Sequence, residues 1–142
     1  MPPRQLWLFQ FGCWAAVTIA VVHLAGHLMG PQVPANDTER QLLTLATTYR
    51  FTLPGGAERS LMDFLNGFSL MFSLLVATMG GVGLIVQKRA RQDVPLMLGV
   101  ARTFTVSSAA LLGLSLTNFF IVPTLFLAVM AVCFFCASVK AP

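Results

Sequence analysis

Leu6-Trp-Leu-Phe-Gln-Phe-Gly-Cys-Trp-Ala-Ala-Val-Thr-Ile-Ala-Val-Val-His-Leu-Ala-Gly-His-Leu-Met29 contains almost nothing that prefers water, and three further runs resemble it: Leu61–Val86, Leu96–Thr117 and Phe119–Val139. Each is close to the ~20 residues that a helix rising about 1.5 Å per residue needs to cross roughly 30 Å of hydrocarbon. The fold class this predicts is all-α: a polytopic membrane protein, an up-down bundle of four transmembrane helices in one domain over residues 1–142. The chain is 56% hydrophobic and 10% charged, with a mean hydropathy of +0.78, whereas a soluble domain carries about 25% charged residues. The first run is longer than a signal-peptide core of ~7–15 residues, so it reads as a retained helix.

The net charge of +4 does not point to nucleic acid, because the bases flank the spans and form no stripe. Arg4 precedes span one, Lys88, Arg89 and Arg91 fall between spans two and three, and Lys140 follows span four. The positive-inside bias then puts both termini and the 87–95 loop in the cytoplasm, which an even number of spans permits. Lys88, Arg89 and Arg91 are also candidates for contact with anionic headgroups or an acidic partner.

The connecting segments carry their own signals. Gly30-Pro31 ends span one. In the outer segment 30–60, Asn36 or Asp37 can cap a short surface helix, and Leu42, Leu45, Ala46 and Tyr49 give it one apolar face. Pro54-Gly55-Gly56 makes a turn, and Ser60-Leu-Met-Asp63 reads as a capping box opening span two. The short 87–95 loop predicts that spans two and three are antiparallel neighbours. Asn118 marks a tighter turn into span four, whose first turn holds Pro123.

Small residues four apart predict the packing faces, because helices in lipid associate by close backbone approach. These are Gly12, Ala16 and Ala20 on span one; Ser69, Ser73, Ala77 and Gly81 on span two; Thr105, Ala109, Gly113 and Thr117 on span three. Phe119, Phe120, Phe126, Phe134 and Phe135 predict an aromatic outer surface suited to lipid, pigment or the helices of another protein.

His23 and His27 are the sharpest chemical signal. Spaced i, i+4, they project about 40° apart on one helix face, and ionisable groups inside a membrane are functional candidates by default. Asp63, Asn66 and Asn118 fall at the same level, so an outer polar cluster of these five residues is expected. Two His and a carboxylate can ligate a transition metal; a single His can be the axial ligand of a haem or chlorophyll. Hydrogen bonding that ties the spans together is the alternative. Asp63 is also expected as a helix cap. No proton path links this cluster to the other side.

Cys133-Phe-Phe-Cys136 in the fourth span is similar to the cysteine pair of quinone-linked thiol oxidoreductases of the vitamin K epoxide reductase kind. The chain departs from them in lacking a second outer cysteine pair and in putting this one toward the cytoplasmic end. Ordinary apolar packing is the other reading of an i, i+3 cysteine pair.

The stretch Tyr49-Arg50-Phe51, continued by Glu58-Arg59-Ser60-Leu61-Met62-Asp63-Phe64-Leu65-Asn66-Gly67-Phe68, resembles a segment of a group of small bacterial four-helix integral membrane proteins of unknown function. The resemblance implies the fold and a bacterial inner-membrane location, and no activity. The chain has no complete catalytic motif, so the expectation is a non-catalytic accessory subunit of a larger membrane complex, respiratory or photosynthetic. Its partners would be other membrane subunits and lipids, with no soluble substrate. A small redox or metal- or haem-binding protein is the alternative, and a thiol oxidoreductase the third reading.

Overall fold

The computed structural model describes residues 1–30 and 33–139 and is all-α apart from one small hairpin. Helix α1, Pro3–Leu28, starts with Pro3 in its first turn, where a missing N–H is harmless. It ends where Gly30 takes a φ of 79°; Pro31 and Lys140 lie outside the described residues. Helix α2, Asp37–Thr48, is capped by Asn36, whose side chain accepts from the Glu39 N–H at 2.9 Å. Strands β1, Arg50–Thr52, and β2, Glu58–Ser60, pair antiparallel with Arg50 opposite Ser60. The sequence reading contains the turn between them, at Gly55 and Gly56 with φ of 96° and 82°, but not the strands.

Three long helices follow: α3, Leu61–Arg89; α4, Val94–Asn118; and α5, Ile121–Ser138. Ser60 and Asp63 form the expected capping box on α3, and Asp93 caps α4 by accepting from the Leu96 N–H at 3.0 Å. Helices α1, α3, α4 and α5 are each long and apolar enough to cross a membrane.

The helices are not packed evenly. Helix α1 lies between α3 and α5, and α4 packs along α5. The expectation that the second and third long helices are packed neighbours is not met: α3 and α4 make little contact despite their short connection. A short loop constrains only the helix ends it joins. The buried side chains of α1 run from Leu6 to Ala20, toward the end of the bundle where α1 starts and α5 ends. There Phe9, Phe104 and Phe134 form a three-ring cluster, with centroids 5.2–6.0 Å apart, joining α1, α4 and α5. Phe134 is thus a core residue and not part of the aromatic surface, whereas Phe119, Phe120 and Phe135 are exposed as expected. Two glutamines close this end. Gln87 Nε2 donates to the Leu6 carbonyl at 2.9 Å, and Gln5 Nε2 donates to the carbonyl of Val139.

The small-residue stripes divide by helix. Gly12, Ala16 and Ala20 are buried, as expected for α1. On α3 the packed positions are Ser73, Val76, Gly80 and Gly83, not Gly81. On α4 the expected stripe is the wrong face: Ala109, Gly113 and Thr117 are exposed, while Met97, Ala101, Ser108 and Ser115 are buried. Spacing finds a stripe of small residues but does not say which way the helix is turned.

Adjacent glycines give a test of this register. A Cβ at Gly80 would lie 2.6 Å from the Cys13 carbonyl oxygen, whereas one at Gly81 meets nothing within 4 Å. Gly80→Val is expected to lower stability by about 1–3 kcal/mol or more through overpacking. Gly81→Val is expected to be near neutral, both read by denaturant titration in detergent.

Candidate functional site

The end of the bundle opposite the termini carries α2, the hairpin and the histidines. His23 is half-buried, and its Nε2 shares a hydrogen bond of 2.9 Å with Ser69 Oγ. Its ring meets Phe72 edge-on at 5.0 Å. One imidazole nitrogen therefore ties α1 to α3. His27, one turn further on, has a different environment. It lines a cavity of about 600 Å³ with Gly26, Gly30, Leu43, Thr44, Thr47, Met62 and Asn66. The cavity is roofed by α2. Thr44 and Thr47 donate their hydroxyls back to helix carbonyls, to Arg40 O at 2.8 Å and to Leu43 O at 2.9 Å. Their oxygens remain acceptors facing a histidine and an amide.

Asp63 does not join this cavity. Its carboxylate accepts from the Ser60 N–H at 2.9 Å, and Ser60 Oγ accepts from the Asp63 N–H at 3.1 Å. Arg50 Nη1 lies 4.0 Å from the same carboxylate. Asn118 is separate too: its Nδ2 donates to Leu114 O and Thr117 Oγ1 at the end of α4. The five-residue outer cluster therefore resolves into four local arrangements, with Asn118 alone at the end of α4. His23 is with Ser69, His27 with Asn66, and Asp63 with its cap. Among the described residues no three His, Cys, Asp or Glu side chains come together as a metal-binding group. The set His23, His27 and Asp63 is not assembled, because the cap and Arg50 hold the carboxylate at the helix start. Of these three residues only His27 lines the cavity.

The cysteines form no disulfide. Cys13 is buried, in the path of any Cβ at Gly83, while Cys133 is buried and Cys136 exposed; all three thiols are free. Ser108, fully buried on the packed face of α4, has no hydrogen-bond partner for its hydroxyl among the described residues. At the opposite end Lys88 and Arg91 border a groove beside α1, together with Trp7, Trp14, Gln10 and Gln87. Arg89 is exposed and does not line it.

Sequence reasoning missed Ser69, Thr44 and Thr47 as neighbours of the histidines. Ser69 was visible as one of the small residues of the second span, with nothing to mark it as a hydrogen-bond partner. The α2 threonines lie away from Leu42, Leu45 and Tyr49, which the structure leaves exposed. Comparison of the chain with known protein families, with curated proteins and with solved structures finds no match.

The segment 49–68 is knit together by contacts that explain its residue types. Phe51 stacks on Phe64 at 5.2 Å and Tyr49 tilts against Phe51 at 6.5 Å, alongside the Arg50–Asp63 pair and the capping box. Loss of the buried Ser60 hydroxyl should cost about 1 kcal/mol, the usual value for an N-cap. Ser60→Ala is expected to speed amide exchange across residues 50–60, and Ser60→Thr to restore protection. His23→Ala, by contrast, should leave the hairpin unchanged.

Proposed function

We propose that this chain is a multi-pass protein of the bacterial inner membrane, with both termini in the cytoplasm, serving as a non-catalytic accessory subunit of a larger respiratory or photosynthetic complex. In this reading it belongs with the small bacterial four-helix membrane proteins that its 49–68 segment resembles. The observation that carries the proposal is the outward face of α4. Ala109, Gly113 and Thr117 are exposed one turn apart, flanked by Val106 and Leu116 at 69% and 68% exposure. In lipid such a stripe permits close approach of another helix, and among the described residues none of this chain's own helices covers it. The exposed Leu42, Leu45 and Tyr49 of α2 add an apolar patch at the membrane surface or against a partner's outer face.

The mechanism is then physical. The outer surface fills space between partner helices and lipids, while Lys88, Arg89 and Arg91 fix the orientation on the positive side. Native-gel migration in mild detergent, with mass spectrometry of co-migrating chains, tests this directly. The wild type should run in a large assembly at fixed stoichiometry. Ala109→Leu with Gly113→Leu should release it as a folded small species. Migration of the wild type alone would sink the proposal.

A second reading rests on the His27 cavity, which offers one imidazole, one amide and two hydroxyl oxygens to a metal or tetrapyrrole. It predicts that His27→Ala removes a visible absorption band or stoichiometric metal, whereas His23→Ala mainly loosens α1 from α3. A preparation with neither band nor metal in the native assembly would remove this reading.

A further inference from the structure

The groove at the terminal end of the bundle combines features that belong to one kind of ligand. It has a volume of about 610 Å³ and runs between the start of α1 and the end of α3. Lys88 and Arg91 border it, no Asp or Glu lines it, and among the described residues neither base is paired with a carboxylate. Gln10 and Gln87 add amide groups, and the α1 N-terminus, at Pro3, adds positive partial charge. The Gln87 side chain is held in place by its hydrogen bond to Leu6 O. Trp7 and Trp14, 61% and 52% exposed, form the wall on the α1 side.

Trp14 also lines a second groove of about 330 Å³, with Phe11, Thr18, Leu125, Phe126 and Val129, which is almost wholly apolar. The two meet at Trp14: the first lies between α1 and the end of α3, the second between α1 and α5. From Trp7 to Thr18 the helix rises about 16 Å, which is half of the roughly 30 Å hydrocarbon thickness. A cationic mouth at the helix ends, aromatic amphipathic walls and an apolar trough one leaflet deep make an amphiphile site. Basic pockets between helices on the positive side are where anionic headgroups bind.

We infer that this face of α1 holds one anionic phospholipid of the inner leaflet, its phosphate at Lys88 and Arg91 and one acyl chain along Trp14 toward Val129. The inference rests on the membrane reading above but is independent of any partner complex. An exposed base at a helix end would serve topology alone; the apolar groove that begins at Trp14 gives the chain a place to lie.

The tryptophans supply the test, because the chain has 2 and both line this groove. The full-length protein is reconstituted in phosphatidylcholine vesicles doped with chain-brominated phosphatidylglycerol or chain-brominated phosphatidylcholine, and tryptophan quenching is titrated. Phosphatidylglycerol should quench at much lower mole fraction. Lys88→Gln with Arg91→Gln should weaken that preference about 30-fold, the loss for two basic contacts, and Lys88→Arg with Arg91→Lys should restore it. Equal quenching by both lipids would overturn the site while leaving membrane insertion standing. No quenching by either would overturn both. Displacement of the phosphatidylglycerol preference by millimolar inorganic phosphate, at constant ionic strength, would mean a free-phosphate site and overturn the lipid assignment.

Discussion

The close approach of α1 and α3 is the constraint on which the rest of the bundle depends. With no Cβ at Gly80 or Gly83, the α3 backbone lies against Cys13, Ala16 and Val17 of α1. Gly12 does the same for α5, where a Cβ would meet the Phe134 ring at 2.9 Å. Helix α1 can therefore be gripped from two sides at once, and it becomes the central element. Helix α4 is held at second hand, through α5 and the Phe104 ring that reaches Phe9 and Phe134.

That arrangement leaves the molecule different at its two ends. At the terminal end the three-ring cluster and the two glutamine bonds draw the helices together. At the other end, among the described residues, the side-chain bonds between long helices are His23 with Ser69, from α1 to α3, and Ser115 with Thr124 at 2.8 Å, from α4 to α5. The cavity beside His27 exists because α2 caps a bundle whose core has thinned by that level. Burial shows the same gradient: α1 has buried positions from Leu6 to Ala20 and none beyond.

The residues of segment 49–68 turn out to share a structural task. Arg50, Ser60 and Asp63 fix where α3 begins, and Phe51 and Phe64 lock the hairpin over its first turn. Residues of these types at these positions start a helix and fasten a loop to it. The aspartate that looked most like a metal ligand is occupied by the backbone it caps.

The sequence by itself determined the number and limits of the long helices, the cap at Ser60, the α2 helix and the turn at Gly55-Gly56. These depend on local hydropathy, on side chains within one turn of each other, and on glycine's freedom at positive φ. The short hairpin escaped it because strands of three residues leave no periodic pattern to read. Only the tertiary structure decided which helices touch, that Gly80 and not Gly81 faces α1, and that the α4 stripe of small residues looks outward. The same is true of the histidines, whose identical helix face gave no warning that one would meet Ser69 and the other a cavity. Rotation of a nearly uniformly apolar helix changes its local pattern very little. What fixes it is the fit of particular side chains from residues far apart in the chain.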